Sequence, residues 1–215
     1  MKKGEMIIWD WNGTLLNDID ICIESINRIL DKRGRKRITK ASYFEFFRFP
    51  VIDFYTDLGF DFEKENFDAL SDEYMNHYIR FESLSSLQDG ALDLLNYFRS
   101  RHINQVVLSA MEQETLARSI QKQNISHYFH EIVGTGNFYG HGKMELARRF
   151  VERSSLLPGQ ITLLGDTLHD HEVAESLGCQ CILIACGHQP YEKLIKTGAR
   201  VEKNLSALFD MITYS

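Results

Sequence analysis

The chain lacks long apolar runs, paired cysteines and any excess of positive charge. No window reaches the roughly 18 apolar residues of a membrane-spanning helix, and the opening MKKGEMIIWD has neither the apolar core nor the cleavage site of a signal peptide. The cysteines at 22, 179, 181 and 186 form no CxxC pair, which argues against zinc ligands and a disulfide framework. We therefore expect a cytoplasmic protein with buried, reduced thiols and no membrane partner.

The charge balance excludes a broad nucleic-acid-binding face. The sequence has 24 basic and 30 acidic residues, with a net charge of −6. Its one basic run, DKRGRKR at 31–37, is interpreted as a solvated helix end and loop. The 215 residues include only three prolines, and their length suits one α/β domain with an insertion, or a larger and a smaller domain.

Four short apolar runs have the composition of strands that are buried on both faces of a parallel sheet. They are MIIWD (6–10), QVVLSA (105–110), ITLLGD (161–166) and CILIA (181–185). Helical patterns alternate with them at 90–102, 113–123, 142–154 and 170–178. This alternation predicts an α/β fold, namely a doubly wound (Rossmann-like) parallel sheet.

The segment 17–84 breaks this alternation. It contains helical stretches and a cluster of aromatics, YFEFFRFPVIDFY (43–55), but no clear strand. We predict that residues 17–84 form a small inserted α-helical cap domain, and that residues 1–16 and 85–215 form the α/β core domain. The cap would cover the carboxyl edge of the sheet, where open α/β sheets bind their ligands.

Polar residues stand at the ends of three predicted strands: Asp10, Ser109 and Asp166. Each of them alone is equally consistent with a turn or a helix cap. Lys143, which follows Gly142 at the start of a predicted helix, is alone consistent with an exposed helix residue. Because parallel strands end at a common edge, we nevertheless expect these side chains to meet in one crevice.

Taken together, DWNGTLL (10–16), VVLSA (106–110), GK (142–143) and LLGDTLHD (163–170) closely resemble the four motifs of the haloacid dehalogenase-like (HAD) hydrolase superfamily. The later GH…L…GA stretch is most similar to the phosphoglycolate phosphatase-type branch. The resemblance implies a Mg²⁺-dependent phosphatase of a small phosphorylated metabolite, for which a monomer or a homodimer would both be ordinary. Carbon–halogen cleavage is disfavoured, because dehalogenases of this family do not need the metal carboxylates that this sequence keeps.

The resemblance also implies roles for individual residues. Asp10 would attack phosphorus and form an aspartyl-phosphate. A carboxylate repels a phosphate dianion, so Mg²⁺ would be held between them by Asp10, Asp166 and the backbone carbonyl of Asn12. Asp170 would bind the metal directly or orient its waters.

Other residues would bind the phosphoryl group. Ser109 would donate a hydrogen bond to it, helped by the backbone at Ala110 and at the start of the following helix. Lys143 would neutralise charge on Asp10 and on the phosphoryl oxygens. Gly13 would permit a close backbone approach, and Thr14 would hold the turn after the nucleophile.

Asn12 departs from the pattern of the family, in which this position is usually a second Asp that acts as general acid and base. An amide cannot shuttle a proton at neutral pH, and general acid–base catalysis is worth about 10²- to 10⁴-fold. Two alternatives therefore stay open: a phosphotransferase or acyl-phosphate or anhydride hydrolase with slow turnover, and a weakly active binder of a phosphorylated ligand. Asp18 is considered as a substitute base.

The substrate cannot be derived from the sequence. Arg48, in FFRFP, is a candidate clamp for a second anionic group, and the alternative is a surface arginine. His169 and His171 flank Asp170 and are interpreted as surface residues, whereas Tyr43 and Tyr55 are interpreted as part of the core of the cap.

Overall fold

The computed structural model describes residues 5–136 and 142–214, so residues 1–4 of the opening stretch lie outside it. The strands in the described residues are β1 (Met6–Trp9), β2 (Leu16–Asn17), β3 (Ser86–Leu87), β4 (Asn104–Glu112), β5 (Glu131–Thr135), β6 (Ile161–Gly165), β7 (Gln180–Ile184) and β8 (Arg200–Glu202). The α-helices are α1 (Ile19–Lys32), α2 (Lys40–Phe46), α3 (Val51–Asp57), α4 (Phe67–Phe81), α5 (Ala91–Ser100), α6 (Gln113–Lys122), α7 (Lys143–Arg153), α8 (Leu168–Leu177), α9 (Tyr191–Leu194) and α10 (Leu205–Tyr214).

Six of the strands form one sheet in the order β5-β4-β1-β6-β7-β8. All of its neighbouring strands run parallel, with β1 in register between β4 and β6. Along β1, Ile7 and Trp9 pack into one apolar layer while Met6 and Ile8 pack into the other. This alternation follows from the two-residue period of a strand. It explains why the run before Asp10 is apolar on every residue.

The predicted α/β fold with a doubly wound parallel sheet is confirmed, and each of the four predicted strands is present. The sequence pattern missed β5 and β8, whose residues are only partly buried and therefore carry no continuous apolar run. It also ended the second predicted strand at residue 110, whereas β4 continues to Glu112 beyond an irregularity in its pairing with β5.

The helices α1 to α4 lie between β2 and β3 and surround an apolar cluster of their own. This cluster is rich in aromatics, including Tyr43, Phe54, Tyr55 and Phe60. The strands β2 and β3 pair antiparallel, so the chain enters and leaves this helical region at one place. The boundaries at residues 17 and 84 stay a prediction. In the described part of the chain, no helix is both long enough and apolar enough to cross a membrane.

Candidate active site

The carboxyl ends of three adjacent strands bring together residues that are far apart in the sequence. Asp10 follows β1, Ser109 lies near the end of β4 and Asp166 follows β6. The order β4-β1-β6 makes them neighbours. The backbone N–H of Asp10 still donates to the carbonyl of Leu164, at 2.8 Å, so the first loop residue stays fixed to the sheet. All three side chains are buried.

Lys143 connects two of the buried carboxylates. Its ammonium donates to an oxygen of Asp10 and, at 2.5 Å, to Oδ1 of Asp170. It is the first residue of α7, and the preceding Gly142 has a φ of 100°, a left-handed conformation that glycine adopts without strain. The side chain of Lys143 is 5% exposed, which excludes the exposed helix residue that Lys143 alone suggested.

The electrostatics of this group favour a further cation. Oxygens of Asp10, Asp166 and Asp170 lie within 4.8 Å of one another. Burial and the two neighbouring carboxylates raise the pKa of Asp10 against the opposing charge of Lys143. Burial also raises the pKa of Asp166 to about 6. Three carboxylates with one ammonium leave negative charge in excess, and carboxylate oxygens are the ligands of hard cations such as Mg²⁺. The donor set therefore fits a divalent cation.

Asp170 is also part of the start of α8. Its Oδ2 accepts from the backbone N–H of Asp166, at 3.2 Å, and from both the N–H and the hydroxyl of Thr167, at 3.0 and 2.7 Å. This is a capping box, so the helix begins at Leu168, two residues before the predicted start. Burial raises the pKa of Asp170, but Lys143 outweighs it and the net pKa is lowered.

Glycines allow the backbone to pack directly on the carboxylates. Gly13 has a φ of +76°, and a Cβ built on it would lie 2.3 Å from Oδ2 of Asp166. At Gly187 the corresponding distance to the same atom is 2.1 Å. Thr14 donates to Oδ1 of Asp166 at 2.9 Å and also contacts Asp10, so it holds carboxylates in addition to the turn. Sequence reasoning named Gly13 and Thr14 but did not name Gly187.

The segment after Ser109, which is still part of β4, differs from the expectation. The backbone N–H of Met111 donates to the Ser109 hydroxyl oxygen at 3.1 Å. The amides of Glu114 and Thr115, in the first turn of α6, are occupied by the carboxylate of Glu112 at 2.8 and 2.9 Å. Those amides were expected to help bind a phosphoryl group, and the Glu112 cap makes this part of the prediction wrong. The role expected of the backbone at Ala110 stays a prediction.

The side chain of Asn12 is bonded to a second buried group. Its amide Nδ2 donates to Oδ2 of Asp18 at 2.6 Å and to the hydroxyl of Tyr78 at 2.7 Å. That hydroxyl donates in turn to Oδ2 of Asp18 at 2.8 Å. Because a side-chain amide has two N–H hydrogens, both donors of Asn12 are taken. The group joins the turn after β1 to α4 of the helical region.

His188 extends this group to a second helix. Its Nε2 lies 3.4 Å from Oδ1 of Asp18, and its Nδ1 lies 2.9 Å from the hydroxyl of Tyr43 in α2. Burial lowers the pKa of His188, but the Asp18 carboxylate and the nearby Asp166 and Asp10 outweigh it and raise the pKa to about 9. Asp18 has a lowered pKa, because the contacts with His188, Asn12 and Tyr78 outweigh its burial. At neutral pH the two form a buried ion pair.

Asp18 therefore has little capacity to serve as a substitute base. Its side chain is fully buried, and its oxygens accept from Asn12, Tyr78, the backbone N–H of Gly13 and His188. It is also absent from the residues that line the cavity above Asp10.

A cavity of about 190 Å³ lies between the strand ends and the helical region. We call its lower surface the floor, defined by Asp10, Ser109, Lys143, Asp166 and Asp170. Its upper surface, the roof, consists of side chains from the helical region, and those used below are Ile26, Tyr43, Phe47, Phe49, Val51, Phe54, Phe67 and Tyr78.

The structure does not bring all of the predicted residues together. Arg48 is half exposed and pairs with Asp57 at 2.7 Å, outside the residues that line the cavity. The surface interpretation is wrong for His169, whose ring lies 4.9 Å from that of Phe49 in the cavity wall. His171 does not line this cavity.

Sequence reasoning missed His188 and the hydrogen bonds that Tyr43 and Tyr78 make with His188 and Asp18. Tyr43 and Tyr55 lie in the core of the helical region as expected, but Tyr43 also reaches His188. The one available signal was the GH pair at 187–188, which had been noted only as a point of resemblance.

Comparisons with known proteins show the family and the fold. The sequence model of the family described as haloacid dehalogenase-like hydrolase matches residues 7–184. A curated phosphoglycolate phosphatase of Pseudomonas fluorescens is 22% identical over 217 residues, covering 96% of this chain and 79% of that relative. A haloacid dehalogenase-like family hydrolase from Streptococcus pneumoniae superposes with a TM-score of 0.83 at 19% identity, covering 97% of this chain and 98% of the other. A structure described as a predicted phosphatase from Clostridium acetobutylicum has a TM-score of 0.81 at 20% identity, with complete coverage of both chains (100% each).

Proposed function

Because the chain belongs to the haloacid dehalogenase-like hydrolase family, we propose that it is a Mg²⁺-dependent phosphatase of a small phosphorylated metabolite. The reaction would pass through an aspartyl-phosphate on Asp10. The observation that carries this proposal is the floor of the cavity, where three buried carboxylates and one buried ammonium lie within reach of a single substrate group. The named phosphatases among the similar proteins support the same class of reaction.

The first step follows from the positions of Asp10 and Lys143. A carboxylate oxygen of Asp10 attacks phosphorus, and the ammonium of Lys143 neutralises charge on both reactants. Ser109, which is 2% exposed at the end of its strand, donates its hydroxyl hydrogen to a phosphoryl oxygen. Burial strengthens each of these interactions, because the surroundings have a low dielectric constant.

The carboxylates of Asp10, Asp166 and Asp170 would hold Mg²⁺, together with the backbone carbonyl of Asn12. When bound, the ion would offset the repulsion between Asp10 and the phosphate dianion. Thr14, Gly13 and Gly187 keep the Asp166 carboxylate in place for this task. Water then hydrolyses the aspartyl-phosphate and releases inorganic phosphate.

A second candidate function, transfer of the phosphoryl group to an acceptor other than water, is supported by Asn12. Its amide can neither protonate the leaving group nor deprotonate the attacking water. An intermediate that is hydrolysed slowly would allow transfer of the phosphoryl group to another acceptor. In rapid-mixing experiments this candidate predicts a burst of leaving group equal to the enzyme concentration, followed by a slow steady state.

The test compares wild type with Asp10→Asn, with Mg²⁺ and with EDTA, on phenyl phosphate. We expect Asp10→Asn to reduce phosphate release by at least about 10³-fold, since the nucleophile is lost. We also expect EDTA to stop release and added Mg²⁺ to restore it. Asp72→Asn on the exposed face of α4 makes the same chemical change away from the floor and should leave release unchanged. Retained turnover in Asp10→Asn would contradict the proposal.

A further inference from the structure

We propose that the natural substrate is an aryl phosphate, in which an uncharged aromatic ring is joined to the phosphoryl group through a phenolic oxygen. This inference rests on the proposed function and names its substrate class. It joins two independent observations, the composition of the roof and the state of Asn12.

The cavity has the size of one ring and one phosphoryl group. Its volume is about 190 Å³, and its lysine and aspartate side chains lie on the floor. A dry cavity of about 150 Å³ in another protein accommodates benzene. With the phosphoryl group placed over Asp10 and Lys143, the remaining space faces the roof and has room for a single ring.

The roof presents mainly hydrocarbon surface to that space. Six of its apolar side chains are aromatic or branched aliphatic: Ile26, Phe47, Phe49, Val51, Phe54 and Phe67. Its polar side chains include Tyr43 and Tyr78, whose hydroxyls are bonded to His188 and to Asp18, and also Tyr55, Ser71 and Tyr74. Apolar and aromatic surface of this kind stabilises a flat apolar ring through burial and ring–ring contacts.

The charges around the cavity disfavour a second anionic group on the substrate. Among the described residues that line it, Lys143 is the only lysine or arginine, and it already contacts Asp10 and Asp170. His188 is paired with Asp18, and His169 lies 3.3 Å from Glu172. Glu112 adds a negative charge to the wall. A carboxylate on the substrate would therefore be desolvated without a free partner, which is costly.

The hydrogen bonds of Asn12 determine which leaving group departs most easily. Both N–H hydrogens of its amide are directed to Asp18 and Tyr78, so the departing oxygen receives neither a proton nor a hydrogen bond from them. A phenolic oxygen tolerates this, because its conjugate acid has a pKa of about 10. An alkoxide is about as basic as hydroxide, whose parent water has a pKa of about 15.7. Departure without an acid thus favours the aryl ester.

The reaction is balanced with water as the only co-reactant. A carboxylate oxygen of Asp10 forms a bond to phosphorus, and the bond from phosphorus to the aryl oxygen breaks. Its electron pair leaves on the phenolate, which takes a proton from solvent. Water then attacks phosphorus and frees Asp10, so the products are a phenol and inorganic phosphate.

Four small esters separate recognition of the ring from leaving-group chemistry. Phenyl phosphate has a ring and a good leaving group, and benzyl phosphate has a ring and a poor one. Acetyl phosphate has a good leaving group without a ring, and 2-phosphoglycolate has neither but carries a carboxylate. We expect a low KM for the two ring-bearing esters and a fast first step, measured as the rate of the burst of leaving group, for phenyl and acetyl phosphate. The kcat/KM of phenyl phosphate should exceed that of 2-phosphoglycolate by at least about 100-fold.

A charge placed in the roof gives the second readout. Val51→Lys should raise the KM for phenyl phosphate about tenfold and lower the KM for 2-phosphoglycolate, because it supplies the missing cation. Thr56→Lys, which lies on the exposed side of the same helix, is the matched control and should change neither value.

The outcomes are distinguishable. Equal kcat/KM for phenyl phosphate and 2-phosphoglycolate, or a preference for the latter, overturns the aryl assignment while the phosphatase function stands. A KM for phenyl phosphate no lower than that for acetyl phosphate, with no shift in Val51→Lys, also overturns it, since the ring would not be recognised. Release of phosphate from none of the four esters would remove the proposed function and the aryl assignment together.

Discussion

The floor and the roof of the cavity are built by opposite means. The floor consists of buried ionisable groups, each fixed by the end of a strand or by the first turn of a helix. The roof consists of side chains on the helices α1 to α4 and in the loop between α2 and α3, most of which pack into an aromatic cluster. In the floor each reacting atom has no substitute, so a substitution there has a large effect on the rate of the reaction. In the roof many atoms share one task, so a substitution changes which substrate is preferred more than whether the reaction occurs.

Hydrogen bonds also connect these two regions. Tyr43 and Tyr78 extend from the helical region but bond to His188, Asp18 and Asn12 beneath the turn after β1. The roof therefore contacts Asn12, the position at which the family is expected to carry its proton-transferring residue. Three substitutions test how far the two regions act separately.

The largest effect is expected from a change confined to the floor. Lys143→Met removes the ammonium between Asp10 and Asp170, and phosphate release should fall about 10²- to 10³-fold. The free energy of unfolding should also fall, because two buried carboxylates lose their partner. The assays are steady-state kinetics and urea denaturation. Arg149→Met, on the exposed face of the same helix, is the control, and equal losses in both variants would contradict the role of Lys143.

A substitution at Asn12, between the floor and the roof, should increase the rate, by a smaller factor than Lys143→Met lowers it. Asn12→Asp places a second carboxyl group beside Asp18, and the like charge raises the pKa of the pair so that one proton is retained near neutral pH. Hydrolysis of benzyl phosphate should then increase by about tenfold or more, below the ceiling of general acid catalysis. The kcat/KM of phenyl phosphate, whose leaving group needs no acid, should change little.

Asn17→Asp is the matched control for this change, since Asn17 is exposed on β2. If Asn12→Asp gives no gain with benzyl phosphate, another group already supplies the proton, and the proposed reason for an aryl leaving group is lost.

The smallest effect is expected from a substitution in the roof, and it is an effect on stability. Tyr78→Phe removes a hydroxyl that accepts from Asn12 and donates to Asp18, which should cost about 1–3 kcal/mol in the free energy of unfolding. Thermal unfolding should show a lower Tm. Tyr128→Phe deletes an exposed hydroxyl bonded to Asn96 and should change the Tm very little. The same Tm shift in both variants would mean that the bond to Asp18 contributes nothing specific.

Much of the floor could be predicted from the sequence, because a parallel sheet converts sequence order into spatial neighbourhood. The apolar runs before Asp10, Ser109 and Asp166 predicted strands, and parallel strands bring their ends to one edge. Lys143 was suggested only by resemblance, since nothing in its local sequence distinguishes it from an exposed helix residue. Its burial becomes visible only when α7 is packed on the sheet.

The roof was less predictable because side-chain contacts between distant segments decide it. The bond of Tyr43 to His188 joins residues 145 positions apart. Arg48 lies beside aromatics in the sequence, yet its guanidinium pairs with Asp57 because a charged group is more stable at the surface. Glu112 falls between a predicted strand and a predicted helix, and its use as a helix cap depended on where β4 ends. None of these outcomes follows from periodicity or local propensity.

The short antiparallel pair formed by β2 and β3 has a consequence for how such a protein can diversify. Leu16 lies opposite Leu87, and Asn17 opposite Ser86, so the helical region starts and finishes at one junction. Its length and helix arrangement can change without altering the distance that the rest of the chain must bridge. The arrangement makes the region an exchangeable cassette: descendants of one ancestral enzyme could acquire new substrates by replacing it, while inheriting the reaction unchanged.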